Sequence, residues 1–151
     1  MTWKPHVTVA AIAQDGSKFL MVEEIINNVA VINQPAGHLE PGESLLQAVI
    51  RETLEETGRH FTPDSLTGIY QWTHPDSQQH FLRFCFTGKI DFFDQDYELD
   101  SDINQVLWLT QEEVSSDQHT VRSPLVIKSI TDYINGRRYP LEILDYLSES
   151  I

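Results

Sequence analysis

Residues 37–59 read GHLEPGESLLQAVIRETLEETGR, and the spacing of the acids in this stretch decides the fold and the chemistry. Ser44 is a strong helix N-cap, and Gln47 three residues later completes a capping box. Gly58 supplies the helix stop. With Glu52 placed at zero on a wheel of about 100° per residue, Glu56 falls at about 40° and Glu55 at about 300°. These three carboxylates therefore share one face. Leu46, Ile50, Thr53 and Leu54 fall at about 100° to 200°, on a side expected to pack against a sheet. Like charges at i, i+3 and i+4 repel each other, so a cation is expected against them. Mg²⁺ suits an all-oxygen cluster, with Mn²⁺ as a substitute. Arg51 adjoins this face and is placed to pair with Glu55 or to reach back to Glu43. A solvated acidic face with routine ion pairs is the competing reading of a bare Glu-x-x-Glu-Glu.

The segment ahead of the helix bears on that choice. Gly37 to Ser44 has the glycine spacing of a phosphate-binding loop, G-x-x-x-x-G-K-[ST]. Glu43 stands where the lysine is required and reverses its charge, so the phosphate-loop reading fails. The glycines still permit a tight loop whose backbone carbonyls face a metal.

Outward from this stretch, His6 to Ala13 is a β-branched and alanine-rich run ending at the turn signal Asp15-Gly16, with Lys18 to Glu23 as hairpin partner. Val29 to Ile32, Leu66 to Thr73, His80 to Ile90 and Ile103 to Leu109 read as further strands, with a turn at Pro75-Asp76-Ser77. Thr110 with Glu113 caps a short second helix. Ser123-Pro124 opens a third, closed at Asn135-Gly136. With no repeat and no Pro/Gly-rich linker, one domain over residues 1–151 is expected. Its class is α/β or α+β, a mixed sheet flanked by helices.

The chain has 151 residues, 40% hydrophobic and 10% aromatic, which suits a soluble globular protein. No apolar run is long enough to span a membrane, and the N-terminus lacks a secretory pattern. Cys85 is the only cysteine, so no internal disulfide forms, and a cytoplasmic location is expected. Ten basic against 23 acidic side chains give a formal charge of -13. That surface repels nucleic acid and acidic membranes, so neither is an expected partner. A polyanionic substrate would need cations to offset the charge locally.

Other residues invite functional readings. Tyr70 and Trp72 alternate on a strand and offer a stacking surface, although such residues are commonly core. Arg83, inside Phe81-Leu82-Arg83-Phe84, puts a costly charge in a sheet, to be paired with phosphate or with a buried carboxylate. Arg122 is a further phosphate contact or a surface residue. Glu98, Asp100 and Asp102 precede the Ile103 strand and are candidate bases, or an ordinary acidic loop. A calcium loop over Asp94, Asp96 and Glu98 fails, because Leu99 and Gln105 stand where glycine and glutamate are needed. The six histidines form no zinc spacing.

Gly37, Glu43, Arg51, Glu52, Glu55, Glu56 and Gly58 match the Nudix box, G-x5-E-x7-R-E-U-x-E-E-x-G-U with U aliphatic. Thr53 and Arg59 depart from it at two aliphatic positions, neither a metal ligand. The chain thus resembles the Nudix hydrolases. That resemblance implies an α/β/α sandwich and Mg²⁺-dependent hydrolysis of phosphoanhydrides. It implies Glu52, Glu55, Glu56 and the Gly37 carbonyl as metal ligands, with Arg51 beside them. Outer segments, among them Asn33-Gln34-Pro35-Ala36, Gln71-Trp72 and Arg138-Tyr139-Pro140, resemble bacterial phosphatases of the family. They imply a small-molecule substrate: nucleoside tri- or diphosphates and thiamine-type pyrophosphates. No obligate protein partner is implied, and a monomer is expected. A Nudix-fold sensor that binds without turnover is the other class of function, and an acidic scaffold without metal a third.

Overall fold

The computed structural model describes residues 2–148. Seven strands, β1 (His6–Asp15), β2 (Lys18–Ile26), β3 (Val29–Asn33), β4 (Ala36–His38), β5 (Arg59–Thr73), β6 (His80–Phe93) and β7 (Ile103–Thr110), are joined by α1 (Leu45–Thr57), α2 (Gln111–Ser115) and α3 (Pro124–Ile134). One leaf of the sheet runs β4-β1-β6-β5, and a second runs β7-β2-β3. They join where the end of β1 turns into β2, with Gln14 opposite Phe19. β1 and β6 are parallel and the other pairs antiparallel, so the sheet is mixed.

β1 explains the layering. Thr8 to Ala13 are all buried, so the strand is covered on both faces, and its three alanines let helices approach closely. Val9, Ala11, Leu66 and Phe86 form one core layer with Ala48 and Val49 of α1. Ala10, Ile12, Tyr70 and Cys85 form the other with Val114 of α2 and Leu125, Val126 and Ile130 of α3. Helices thus flank the mixed sheet on both sides. No helix of the described residues is long and apolar enough to cross a membrane.

The chemistry of the caps appears as expected. Ser44 Oγ accepts from Gln47 N, and Gln47 Oε1 accepts from Ser44 N. Gly58 ends α1 at φ 70°, in the left-handed region. Thr110 and Glu113 repeat the box on α2.

Three details differ. β5 starts at Arg59 rather than near Leu66, because register shifts at His60/Phe61, Pro63/Ser65 and Leu66/Gly68 break the alternation that marks a strand. Ala36–His38, expected as loop, is a short strand against Thr8–Ala10. The buried side of α1 is Ala48, Val49, Thr53, Glu56 and Thr57, while Ile50 is exposed. The helix is rolled toward the acids, and Glu56 points inward with the apolar side chains. Thr53 is fully buried and gives its hydroxyl to Val49 O at 2.8 Å, so the non-aliphatic residue is satisfied within the helix.

Ser44→Ala removes the acceptor for Gln47 N and should cost about 1 kcal/mol. A thermal melt should show a midpoint lowered by about 2–4 °C. An unchanged midpoint would mean that the cap contributes nothing to the helix.

Candidate functional site

Arg51 gathers the acids. Its Nε and Nη2 donate to both oxygens of Glu43 at 2.9 and 2.7 Å, a bidentate pair. Nη1 donates to Glu52 Oε1 at 2.8 Å and Glu55 Oε2 at 3.3 Å, and Nη2 also reaches His38 O at 3.0 Å. The guanidinium holds the Glu43 carboxyl below its ordinary range, and Glu43 raises Arg51 in turn. Glu43 Oε1 also accepts from Glu40 N at 2.8 Å, which closes the loop onto the helix.

Glu56 and Asp100 are held outside this clamp. Glu56 is 8% exposed and accepts from Ala36 N at 2.8 Å, which ties α1 to β4. Burial pushes its carboxyl up to about 9. Glu52 rises to about 7, because burial outweighs its contact with Arg51. Both acids lie in the C-terminal half of α1, where the helix dipole disfavours negative charge and no basic residue is present in the last turn. Asp100 completes the group. Its N–H donates to Glu55 O at 2.9 Å, and carboxylate oxygens of Glu52, Glu55 and Asp100 lie within 4.8 Å of one another. Three hard oxygens converging this closely fit a divalent cation with oxygen preference.

These residues form one wall of a cleft of about 1000 Å³. Gly37, Glu56, Trp72, Arg83, Asp100, Asp102 and Arg122 also line it. Arg122 is 3.8 Å from Glu24. Trp72 stacks on Phe81 at 6.0 Å between ring centroids, 24° from parallel, and its edge meets His74 at 5.3 Å. Tyr70 is elsewhere: it is buried in the α3 core layer and donates its hydroxyl to Asp132 at 2.8 Å, so it does not line the cleft. Glu98 is exposed and does not line it either. Arg83 has no ion-pair partner among the described residues, which removes the expected buried carboxylate.

Sequence reasoning missed Phe81, His74, His38 and Glu24 as cleft residues. A period of two, back from Arg83, would have found Phe81. Glu24 carried no such signal, since its place at the cleft depends on the pairing of β2 with β3 and β7. Asp100 reads from the sequence as a candidate base, but its proximity to Glu55 depends on the chain returning across the end of α1.

Gly37 is the tightest point. A Cβ there would collide with the Glu52 carboxylate. Gly37→Ala should therefore leave the fold intact while displacing Glu52, lowering hydrolysis by about 10²-fold or more. Full activity in that variant would contradict the placement of Glu52. The carboxyls also set a pH dependence. Glu52 and Glu56 titrate higher in the folded chain than the ordinary 4.5, so protonation favours the fold. Their contribution is complete below about pH 4.5 and is lost as pH rises through about 7 and about 9. In chelator, the thermal midpoint should fall over that window, and Glu56→Gln should flatten the upper part. A flat wild-type profile would contradict the burial of these acids.

The family model for the NUDIX domain matches residues 4–129. The chain is 45% identical over 142 residues to the phosphatase NudJ of Escherichia coli K12, covering 94% of this chain and 92% of the relative. A solved NUDIX hydrolase from Nitrosomonas europaea superposes with a TM-score of 0.92 at 50% identity, covering 95% of this chain and 98% of that one. The NUDIX domain of NrtR from Shewanella oneidensis, solved with ADP ribose, shares the fold at a TM-score of 0.68 and 18% identity, over 88% of this chain and 90% of that one. With the family model matched over most of the chain and 45% identity to NudJ across nearly its whole length, the chain belongs to the Nudix hydrolases.

Proposed function

We propose that this hydrolase cleaves phosphoanhydride bonds in nucleoside tri- and diphosphates, and in thiamine-type pyrophosphates, with Mg²⁺ as its cofactor and Mn²⁺ as a substitute. The observation that carries this reading is the convergence of Glu52, Glu55 and Asp100, with buried Glu56 beneath them. Glu52, Glu55 and Asp100 would hold the metal together with Glu56 and the Gly37 carbonyl. A divalent cation supplies neutralisation of phosphate oxygens and lowers the pKa of bound water.

The chain's own groups do the rest. Arg51 fixes Glu52 and Glu55 relative to Glu43, so the carboxylates are oriented before substrate arrives. Water attacks a phosphorus atom and displaces a phosphate or nucleotide. Glu55 Oε2 is in contact with Arg51 and its other oxygen makes no hydrogen bond among the described residues, so where Glu52, Glu56, Asp100 and the Gly37 carbonyl hold the metal, Glu55 takes the proton in place of ligating. Asp100 and Asp102, at the same wall, are the other candidate bases. The Trp72–Phe81 pair presents an aromatic face for the substrate ring, and Arg122 a cation. The relatedness to NudJ supports a phosphatase reading over a dinucleotide one. The protein is expected to act as a monomer without an obligate partner.

A phosphate-release screen in Mg²⁺, Mn²⁺ and chelator tests this. Nucleoside di- and triphosphates and thiamine pyrophosphate should be hydrolysed only with metal, and Glu52→Gln should lose about 10²-fold or more in kcat. Mg²⁺ should also raise the thermal midpoint of the wild type. A preference for ADP-ribose or dinucleoside polyphosphates would sink the substrate assignment. Undiminished turnover in Glu52→Gln would sink the metal site.

A further inference from the structure

Arg83 lies in the body of β6 and is 6% exposed. Its Nη2 donates to Gln34 Oε1 at 2.6 Å and to Asn33 Oδ1 at 3.1 Å. Both acceptors are neutral amides. Gln34 is in turn fixed by α3, giving Nε2 to Val126 O at 3.0 Å and to Ser129 Oγ at 2.9 Å. Arg83 Nε is shut away from solvent with no acceptor, and Nη1 makes no hydrogen bond among the described residues. Of the three buried charged side chains, Asp132 is met by Lys128 and Arg137 as well as Tyr70. Glu56 and Arg83 have only neutral hydrogen-bond partners, Ala36 N for the one and the Asn33 and Gln34 amides for the other. Neither is in salt-bridge contact with an opposite charge, and burial of that kind is costly unless something offsets it.

The side chain lines the cleft, one residue pair along β6 from Phe81 and on the same face of the sheet. The carboxylates of α1 come from the opposite core layer. The cleft thus has a carboxylate wall on one side and, on the other, the Arg83 guanidinium without a salt-bridge partner, whereas Arg122 and Arg51 in the same cleft each face a carboxylate.

We propose that Arg83 is the cleft's receptor for an anionic phosphate oxygen of the substrate, distinct from the oxygens facing the carboxylates, and that Asn33 and Gln34 are its positioning residues. This rests on the reading of the cleft as a phosphoanhydride site. Two neutral amides hold the guanidinium in place without neutralising it, so its charge stays available to a ligand. Charge selects phosphate over a ring carbonyl, because a neutral acceptor would leave the buried cation uncompensated. An arginine fits this task, since it cannot shed its proton and grips phosphate through a fixed fork.

Calorimetric binding of two non-hydrolysable probes, inorganic imidodiphosphate and adenosine β,γ-imidotriphosphate, both with Mg²⁺, tests the assignment. Arg83→Gln should weaken both by at least about tenfold. Asn33→Asp sets a carboxylate against the guanidinium in a side chain of the same size. It should weaken both comparably without lowering the thermal midpoint, and it carries the test alone if Arg83→Gln fails to fold. Arg83→Lys, which keeps the charge but not the fork, should recover part of the loss. Weakened nucleotide binding with unchanged imidodiphosphate binding would assign Arg83 to the ring and overturn the proposal. Unchanged binding of both would overturn it too. Turnover by Glu52→Gln reports on hydrolysis separately, so a failure of the Arg83 assignment is distinguished from a failure of the hydrolase reading on which it rests.

Discussion

The acidic wall of the site is organised by a single guanidinium. Arg51 joins Glu43 from the loop, Glu52 and Glu55 from the helix and the His38 carbonyl from β4. Like charges on adjacent helical turns would otherwise splay apart, and the loop ahead of α1 would have no reason to fold back on it. Arg51 offsets that repulsion from one side only. Its donors go to Glu43, to the His38 carbonyl and to one oxygen each of Glu52 and Glu55, and the second oxygens of Glu52 and Glu55 make no hydrogen bond among the described residues. An ordinary surface ion pair contributes little. This one is bidentate, partly buried and shared among several acids, so it organises as well as stabilises.

The second constraint is burial. Glu56 shares the apolar side of α1 with Val49 and Thr53, and only the Ala36 N–H meets it. A carboxylate in that position raises the energy of the fold at neutral pH and lowers it again when a cation arrives. Stability and metal affinity are thereby opposed. The same logic applies across the cleft, where Arg83 is buried with no carboxylate in salt-bridge contact among the described residues. Acid on one wall and an uncompensated cation on the other describe a pocket organised for a ligand that carries both a metal and phosphate charge.

Much of this was readable in the chain itself, for local reasons. Ser44, Gln47 and Gly58 act on backbone groups within a few residues of themselves, so the bounds of α1 follow from their chemistry alone. The Glu43–Arg51 pair was legible for the same reason. The roll of α1 about its axis was not. The wheel ranked Ile50 as core and Glu56 as surface, whereas the sheet, through the Ala36 N–H, pulls Glu56 inward and leaves Ile50 in solvent. Tyr70 and Trp72 occupy equivalent strand positions. Only the placement of α3 over one and the open cleft beside the other separates core from site. Asp100 joins Glu55 through a contact spanning half a helix and two strands, which no local pattern encodes.

Anomalous diffraction from crystals soaked in Mn²⁺ addresses the central claim directly. The account predicts a manganese peak within coordination distance of Glu52, Glu55 and Asp100, absent from crystals of Glu52→Gln. Density showing these carboxylates bound only to Arg51 and water, with manganese elsewhere or nowhere, would contradict it.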